Sequence, residues 1–293
     1  MVLIFESKFM SFPAPPDPFL SVVINDLTLD PTLCTLCAGY EGGQWRSEDL
    51  AEHAMEWLPE FCLSADELSD LNPGNALRLI RKAARIVYQT DKYKLRGEFG
   101  ELFLHIALRQ VHKSVPAISK LYWKDSVNST VKGYDAVHVV ELNGKLELWL
   151  GEVKFYSDAN SAINEVVSEI KDHTGLQYMK NEVALIANKL DKQSAHYPTL
   201  SKLLHPNTSL DEVFDAACVP VLITYNSEAL KSHSKSTPQY IEALKSEVDE
   251  ILAKMTTKLN ALSLPVRVHL FLIPLNSKSN LVTHLDGSLK RLQ

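Results

Sequence analysis

No stretch of this chain approaches the roughly 18 consecutive apolar residues that a bilayer-spanning helix needs. The longest runs, residues 219–223 and the polar-broken 269–275, fall far short, which excludes a membrane span. The apolar start, Met1 to Phe5 followed by Glu6 and Lys8, has neither the basic lead nor the small-residue cleavage site of a signal peptide, so a cytoplasmic protein is expected. Cysteine is scarce. Cys34 and Cys37 form one Cys-x-x-C, no second pair follows at zinc-ribbon spacing, and Cys62 and Cys218 stand apart. A zinc site drawing on Cys62 and His53 is the minor reading, and small, partly buried core residues are the major one. Internal repeats, low-complexity segments and long blocks of like charge are missing as well.

What is present is the composition of a folded protein, with 45% hydrophobic and 23% charged residues and a mean hydropathy of -0.08. At 293 residues the chain suffices for one large domain or two modest ones around a substantial core. Thirty basic against thirty-six acidic residues leave a net charge of -6, which argues against coating nucleic acid by bulk charge but not against a local site. One stretch departs from that average. Arg78, Arg81, Lys82 and Arg85 recur at helical spacing, and Lys92, Lys94 and Arg96 follow with only Asp91 to oppose them. They read either as a solvated helix face or as a stripe that binds nucleic-acid phosphates or a partner.

Residues 1–90 read as a mostly helical accessory module for partner or DNA binding. A Pro-rich stretch, 13–18, leads into an apolar run at 19–24; helical segments follow near 48–61 and 75–89, with Ser64 and Glu67 at capping-box spacing and Asn72-Pro73-Gly74 as a turn. Residues 91–293 alternate in period as an α/β domain does. A helix over 95–111 carries Phe99, Leu102, Phe103, Ile106 and Leu108 on one stripe, with Glu98, Glu101 and His105 beside it. Strands over 134–142 and 145–156 precede a long helical stretch, 159–190, broken near Thr174-Gly175. After a loop-rich segment to Asp211 come a strand at 219–225, a helix at 238–262 and a last strand at 266–275.

Chemistry concentrates on the two central strands. Asn143-Gly144 between them is the strongest short signal for a two-residue type I′ hairpin, which sets Leu142 opposite Lys145. Val139 then faces Leu148, Val137 faces Leu150, and Asp135 faces Glu152, with Lys154 opposite Gly133 where no side chain blocks access. An apolar row thus ends in three charges, Asp135, Glu152 and Lys154, at the end of the hairpin far from its turn. Carboxylates directly opposite each other repel unless compensated. A salt-bridged strand end, with Lys154 neutralising both acids, is one solution. A Mg²⁺ ion held by Asp135 and Glu152 is the other, with waters and phosphate oxygens completing its shell and Lys154 orienting water or stabilising the transition state. Glu6-Ser7-Lys8 and Glu169-Ile170-Lys171 match the same Glu-x-Lys spacing, but neither lies in an apolar strand with an aspartate placed opposite.

Asp135 followed by Glu152-Val153-Lys154, after a helix bearing Gly97-Glu98-Phe99-Gly100-Glu101, resembles the PD-(D/E)xK nuclease superfamily, with Tyr134 where proline is nominal. The resemblance implies a restriction-endonuclease-like mixed sheet flanked by helices, Mg²⁺ (with Mn²⁺ as a substitute), a further metal contact from Glu101 or else Glu98, and an auxiliary role for Gln177. His105 and His138 are expected to be structural. The size, the N-terminal extension, and the segments Arg96-Gly97-Glu98-Phe99-Gly100-Glu101, Gly133-Tyr134-Asp135 and Gly151-Glu152-Val153-Lys154-Phe155 are similar to HamA-type nuclease subunits of Hachiman anti-phage defence. That resemblance implies a metal-dependent DNA endonuclease acting as effector beside a superfamily 2 helicase (HamB-type). A non-catalytic assembly or regulatory subunit, or an RNA-directed nuclease, is the alternative.

Overall fold

The computed structural model describes residues 14–88, 97–118, 133–142, 144–192 and 194–293. The chain opens with strands β1 (Ser21–Asp26), β2 (Thr32–Cys37), β3 (Tyr40–Glu41) and β4 (Gln44–Trp45). Helices α1 (Ser47–Glu56), α2 (Leu58–Cys62), α3 (Ala65–Ser69), α4 (Ala76–Tyr88) and α5 (Gly97–His112) follow. Next come β5 (Val115–Ile118), β6 (Ala136–Leu142), β7 (Lys145–Phe155), α6 (Ala159–His173) and α7 (Leu176–Ala187). The remainder is α8 (Tyr197–Leu203), α9 (Leu210–Ala216), β8 (Ala217–Asn226), α10 (Glu228–Ser232), α11 (Pro238–Asn260), β9 (Arg267–Leu275) and α12 (Lys278–Arg291).

Seven strands form one sheet in the order β1-β2-β9-β8-β7-β6-β5. The four central strands, β2, β9, β8 and β7, run parallel, and β1, β6 and β5 add on antiparallel. This is the mixed, restriction-endonuclease-like α/β sheet flanked by helices that the sequence led us to expect. Strand β7 is buried along both faces from Leu148 to Phe155, as a central strand with helices above and below it must be. Residue alternation assigns those helices. A Cβ built on Gly100 of α5 would meet Val153 and Phe155, and one on Gly151 would meet Leu104 of α5, so α5 covers the odd-numbered face of β7. The even-numbered face packs Leu148 and Leu150, with Val137 and Val139 of β6, against Met179 and Ile186 of α7.

Between residues 21 and 88 four short strands precede four helices, and both pack against later elements. Strand β2 pairs with β9, and Leu33, Leu36, Leu50, Trp57 and Leu58 share one apolar cluster with Phe99, Phe103 and Phe271. Helix α3 starts with the anticipated capping box, Ser64 and Glu67 each bonding the other's backbone N–H. The loop-rich stretch to Asp211 carries α8, which has Pro198 in its first turn and no side-chain cap; α9 begins at its end and α12 follows β9, capped by the side chains of Ser209 and Ser277. All four cysteines are buried and free, and His53 accepts from Trp57 Nε1 at 3.0 Å, so the core reading holds for this group rather than a zinc site.

Candidate active site

The hairpin sets the site. Gly144 lies at φ 75°, the left-handed value that its turn position demands, and Leu142 pairs with Lys145. The expected register runs unbroken from there through Val139 with Leu148 and Val137 with Leu150 to Ala136 with Gly151. Asp135, the next residue, donates its backbone N–H to Gly151 O at 2.7 Å and accepts Val153 N–H on Oδ2 at 2.9 Å. Glu152, across the ladder, is only 2% exposed. Burial, reinforced by the negative charge of Asp135, pushes the Glu152 carboxyl up to about 7 despite a hydrogen bond from His173.

Helix α6 supplies the groups that the sequence pattern did not assign. Lys154 Nζ does not bridge Asp135 and Glu152; it lies 2.9 Å from Glu165 Oε1 and 2.6 Å from Glu169 Oε2. Burial works against the Lys154 ammonium, but Glu169 and Glu165 outweigh it and raise its pKa. Tyr156 donates its hydroxyl to Glu165 Oε2, and His173 Nδ1 is hydrogen-bonded to Glu152 Oε1. Burial likewise opposes a charged His173, and the Glu152 contact overcomes it to raise the imidazole pKa. Glu165, Glu169 and His173 recur every four residues, one helical turn apart, which is why a single face of α6 reaches all of these partners. The periodicity was visible in the sequence; the strand it would face was not.

Among the described residues the other candidates come from α5, α7 and α4. Glu98, buried, and Glu101, half-buried, ride on α5, which packs against the opposite side of β7. Gln177 is exposed on α7 and donates to Asn181 Oδ1 at 3.2 Å. Gly133 does not leave the open space expected beside Lys154, because the Glu182 carboxylate lies against it. His105 pairs with Glu60 at 3.1 Å and His138 meets Ser114 Oγ at 2.9 Å, both inside the core. Arg78, Arg81, Lys82 and Arg85 lie on α4, with Lys82 paired to Glu67. Lys92, Lys94 and Arg96 lie outside the described residues.

Among the described residues no group of three or more His, Cys, Asp or Glu side chains is arranged to hold a metal by itself. Two carboxylates on one face, one of them buried and carrying a raised pKa, form a donor set that a divalent cation would satisfy. Mg²⁺ in particular takes one or two carboxylates and fills its remaining positions with water and phosphate oxygens. Among the described residues no helix is long and apolar enough to cross a membrane.

The HamA family model matches residues 17–289, almost the whole chain. The chain belongs to the HamA family. It is 23% identical over 262 residues to anti-bacteriophage protein A of Escherichia coli (strain K12), covering 86% of this chain and 47% of that relative. This HamA-family chain thus spans about half the length of the curated relative it matches. No solved structure matches it.

Proposed function

We propose that this HamA-family protein is a Mg²⁺-dependent DNA endonuclease serving anti-phage defence as the effector subunit of a complex with a superfamily 2 helicase. The observation that supports the reading is Asp135, immediately before β6, close enough for its charge to act on buried Glu152 of β7, with Lys154 two residues further along the same strand. Asp135 and Glu152 would hold the ion. When bound, it supplies Lewis-acid stabilisation of the charge that develops on a scissile phosphodiester. Lys154 brings a buried ammonium to the same face, suited to pairing with a phosphate oxygen. The defence role is supported by the family and by the name of the Escherichia coli relative. The acidic net charge suits a subunit that draws part of its DNA affinity from a partner.

Plasmid and linear DNA incubated with Mg²⁺ or EDTA, with and without the candidate helicase, test the reading in wild type and Glu152→Ala/Lys154→Ala. Metal-dependent cutting by wild type that is lost in a folded double variant is expected. Cutting that persists in the double variant would overturn the site. No cutting of DNA under any condition would replace the reading by an assembly subunit, or by an RNA-directed nuclease if RNA is cut instead.

A further inference from the structure

Helix α6 does more than cover the sheet. Its Glu165, Glu169 and His173 form a stripe one turn apart, and every member is engaged with β7 or the residue after it: Glu165 with Lys154 and Tyr156, Glu169 with Lys154, His173 with Glu152. The engagement is braced from behind. The His173 ring stacks on Tyr178 with centroids 4.2 Å apart and planes 13° from parallel, and meets the Tyr134 ring edge-on at 5.4 Å. Tyr134 also donates its hydroxyl to the His173 carbonyl oxygen at 3.1 Å. The residue standing where the superfamily motif names proline therefore holds the end of α6 against the site.

A lysine side chain has four rotatable bonds and a strongly hydrated head, and unrestrained it would spread over many positions. Here two carboxylates from one rigid helix fix Nζ, and a stacked imidazole fixes one oxygen of Glu152. We propose that the α6 stripe, Glu165, Glu169 and His173 braced by Tyr134, is the positioning element that presents Lys154 and Glu152 to substrate. The proposal rests on the nuclease reading for its consequence in catalysis, but not for the geometry it asserts.

Two measurements separate these. In the full chain labelled with ¹⁵N-lysine, an ammonium held by two carboxylates exchanges slowly and gives its own resonance. That resonance is expected in wild type, absent in Lys154→Met, and lost or broadened in Glu165→Gln/Glu169→Gln at unchanged melting temperature. A Lys154 resonance that survives the double glutamine substitution overturns the proposal whether or not the protein cuts DNA. For cleavage by the complex, Glu165→Gln/Glu169→Gln is expected to lower kcat about 10- to 100-fold, the usual cost of a misplaced group. KM for DNA and the Mn²⁺ affinity measured by titration should stay within about two-fold of wild type on the same reasoning. Unchanged kcat, or an equal rise in KM alone, would overturn it. Cleavage absent in wild type, with the resonance behaving as expected, would sink the nuclease reading and leave the clamp.

Discussion

Gly100 of α5 lies so close to Val153 of β7 that a methyl group at Gly100 would sit 2.6 Å from Val153 Cγ1 and 2.8 Å from Phe155 Cβ. Neither neighbour can yield, since Val153 is β-branched and stiff and a Cβ moves only with its backbone. Replacing a helical glycine by alanine would by itself add about 1 kcal/mol of stability. Overpacking of this kind costs about 1–3 kcal/mol and should win. Gly100→Ala is therefore expected to lower the urea midpoint. Gly151→Ala should lower it less, because the atom it meets first, Leu104 Cδ2 at 2.5 Å, is the end of a flexible side chain. An order reversed between the two would show that α5 does not seat on β7 in this way.

Arg109 and Glu60 make the ion pair that ties α2 to α5. Both are under 10% exposed, Arg109 Nη2 is 3.1 Å from Glu60 Oε2, and Arg109 also donates to the Ser114 carbonyl. Burial disfavours the Glu60 carboxylate, but His105 and Arg109 together more than offset this and hold its pKa below the ordinary value. Removing Arg109 leaves the buried Glu60 with His105 as its remaining partner, and losing one partner of a buried pair costs up to about 3–5 kcal/mol. Arg109→Met should be destabilised by that order in chemical denaturation, and adding Glu60→Leu should recover part of the loss. A double variant no better than the single would mean that packing at Arg109, and not the charge left behind, carries the penalty.

Local signals were legible in the sequence where neighbours along the chain determine the outcome. The Asn143-Gly144 dipeptide specified the hairpin register, and from it the juxtaposition of Asp135 and Glu152, because a two-residue loop leaves no freedom of pairing. The break between α6 and α7 at Thr174-Gly175 was readable for the same reason. Non-local pairings were not. Nothing in residues 32–37 says that β2 lies beside β9, near the other end of the chain. Glu165, Glu169 and His173 look like solvated helix positions until α6 is seen packed on Lys154 and Glu152. Which face of the sheet α5 covers does not follow from sequence either, because it depends on the connection and not on the helix.

Acid should destabilise the fold through two histidines in contact. The His112 and His269 rings meet edge to face at 4.9 Å. Burial pushes His112 down to about 4 and, with the neighbouring His112, His269 down to about 3. Both are neutral in the folded state at pH values where the unfolded chain, with a histidine pKa near 6.5, already binds protons. Their contribution to stability is complete above about 6.5 and is lost as pH falls from there toward 4 and 3, on the order of 1.4 kcal/mol per pH unit for each ring. Glu152 and His173, with raised pKa values, oppose this trend, so the test is a comparison: between pH 7 and 5 the urea midpoint of His269→Gln should fall less, or rise more, than that of the wild type. A pH dependence that His269→Gln leaves unchanged would mean that the rings are not buried as described.

Helix α4 gives the last test. Arg78, Arg81 and Arg85 recur at i, i+3 and i+7 on one face of the helix beside Lys82, which is paired with Glu67. An arginine that tracks a phosphate displaces a counterion on binding, so the slope of log K against log salt should fall by about 0.9 for each phosphate no longer neutralised. If the proposed complex with the candidate helicase holds, Arg78→Gln/Arg81→Gln/Arg85→Gln is expected to weaken its duplex DNA binding at low salt, with a shallower salt dependence and an unchanged melting temperature. If DNA affinity and slope stay the same while the helicase no longer co-purifies, the stripe faces the partner instead. If both interactions survive, these arginines only solvate the helix.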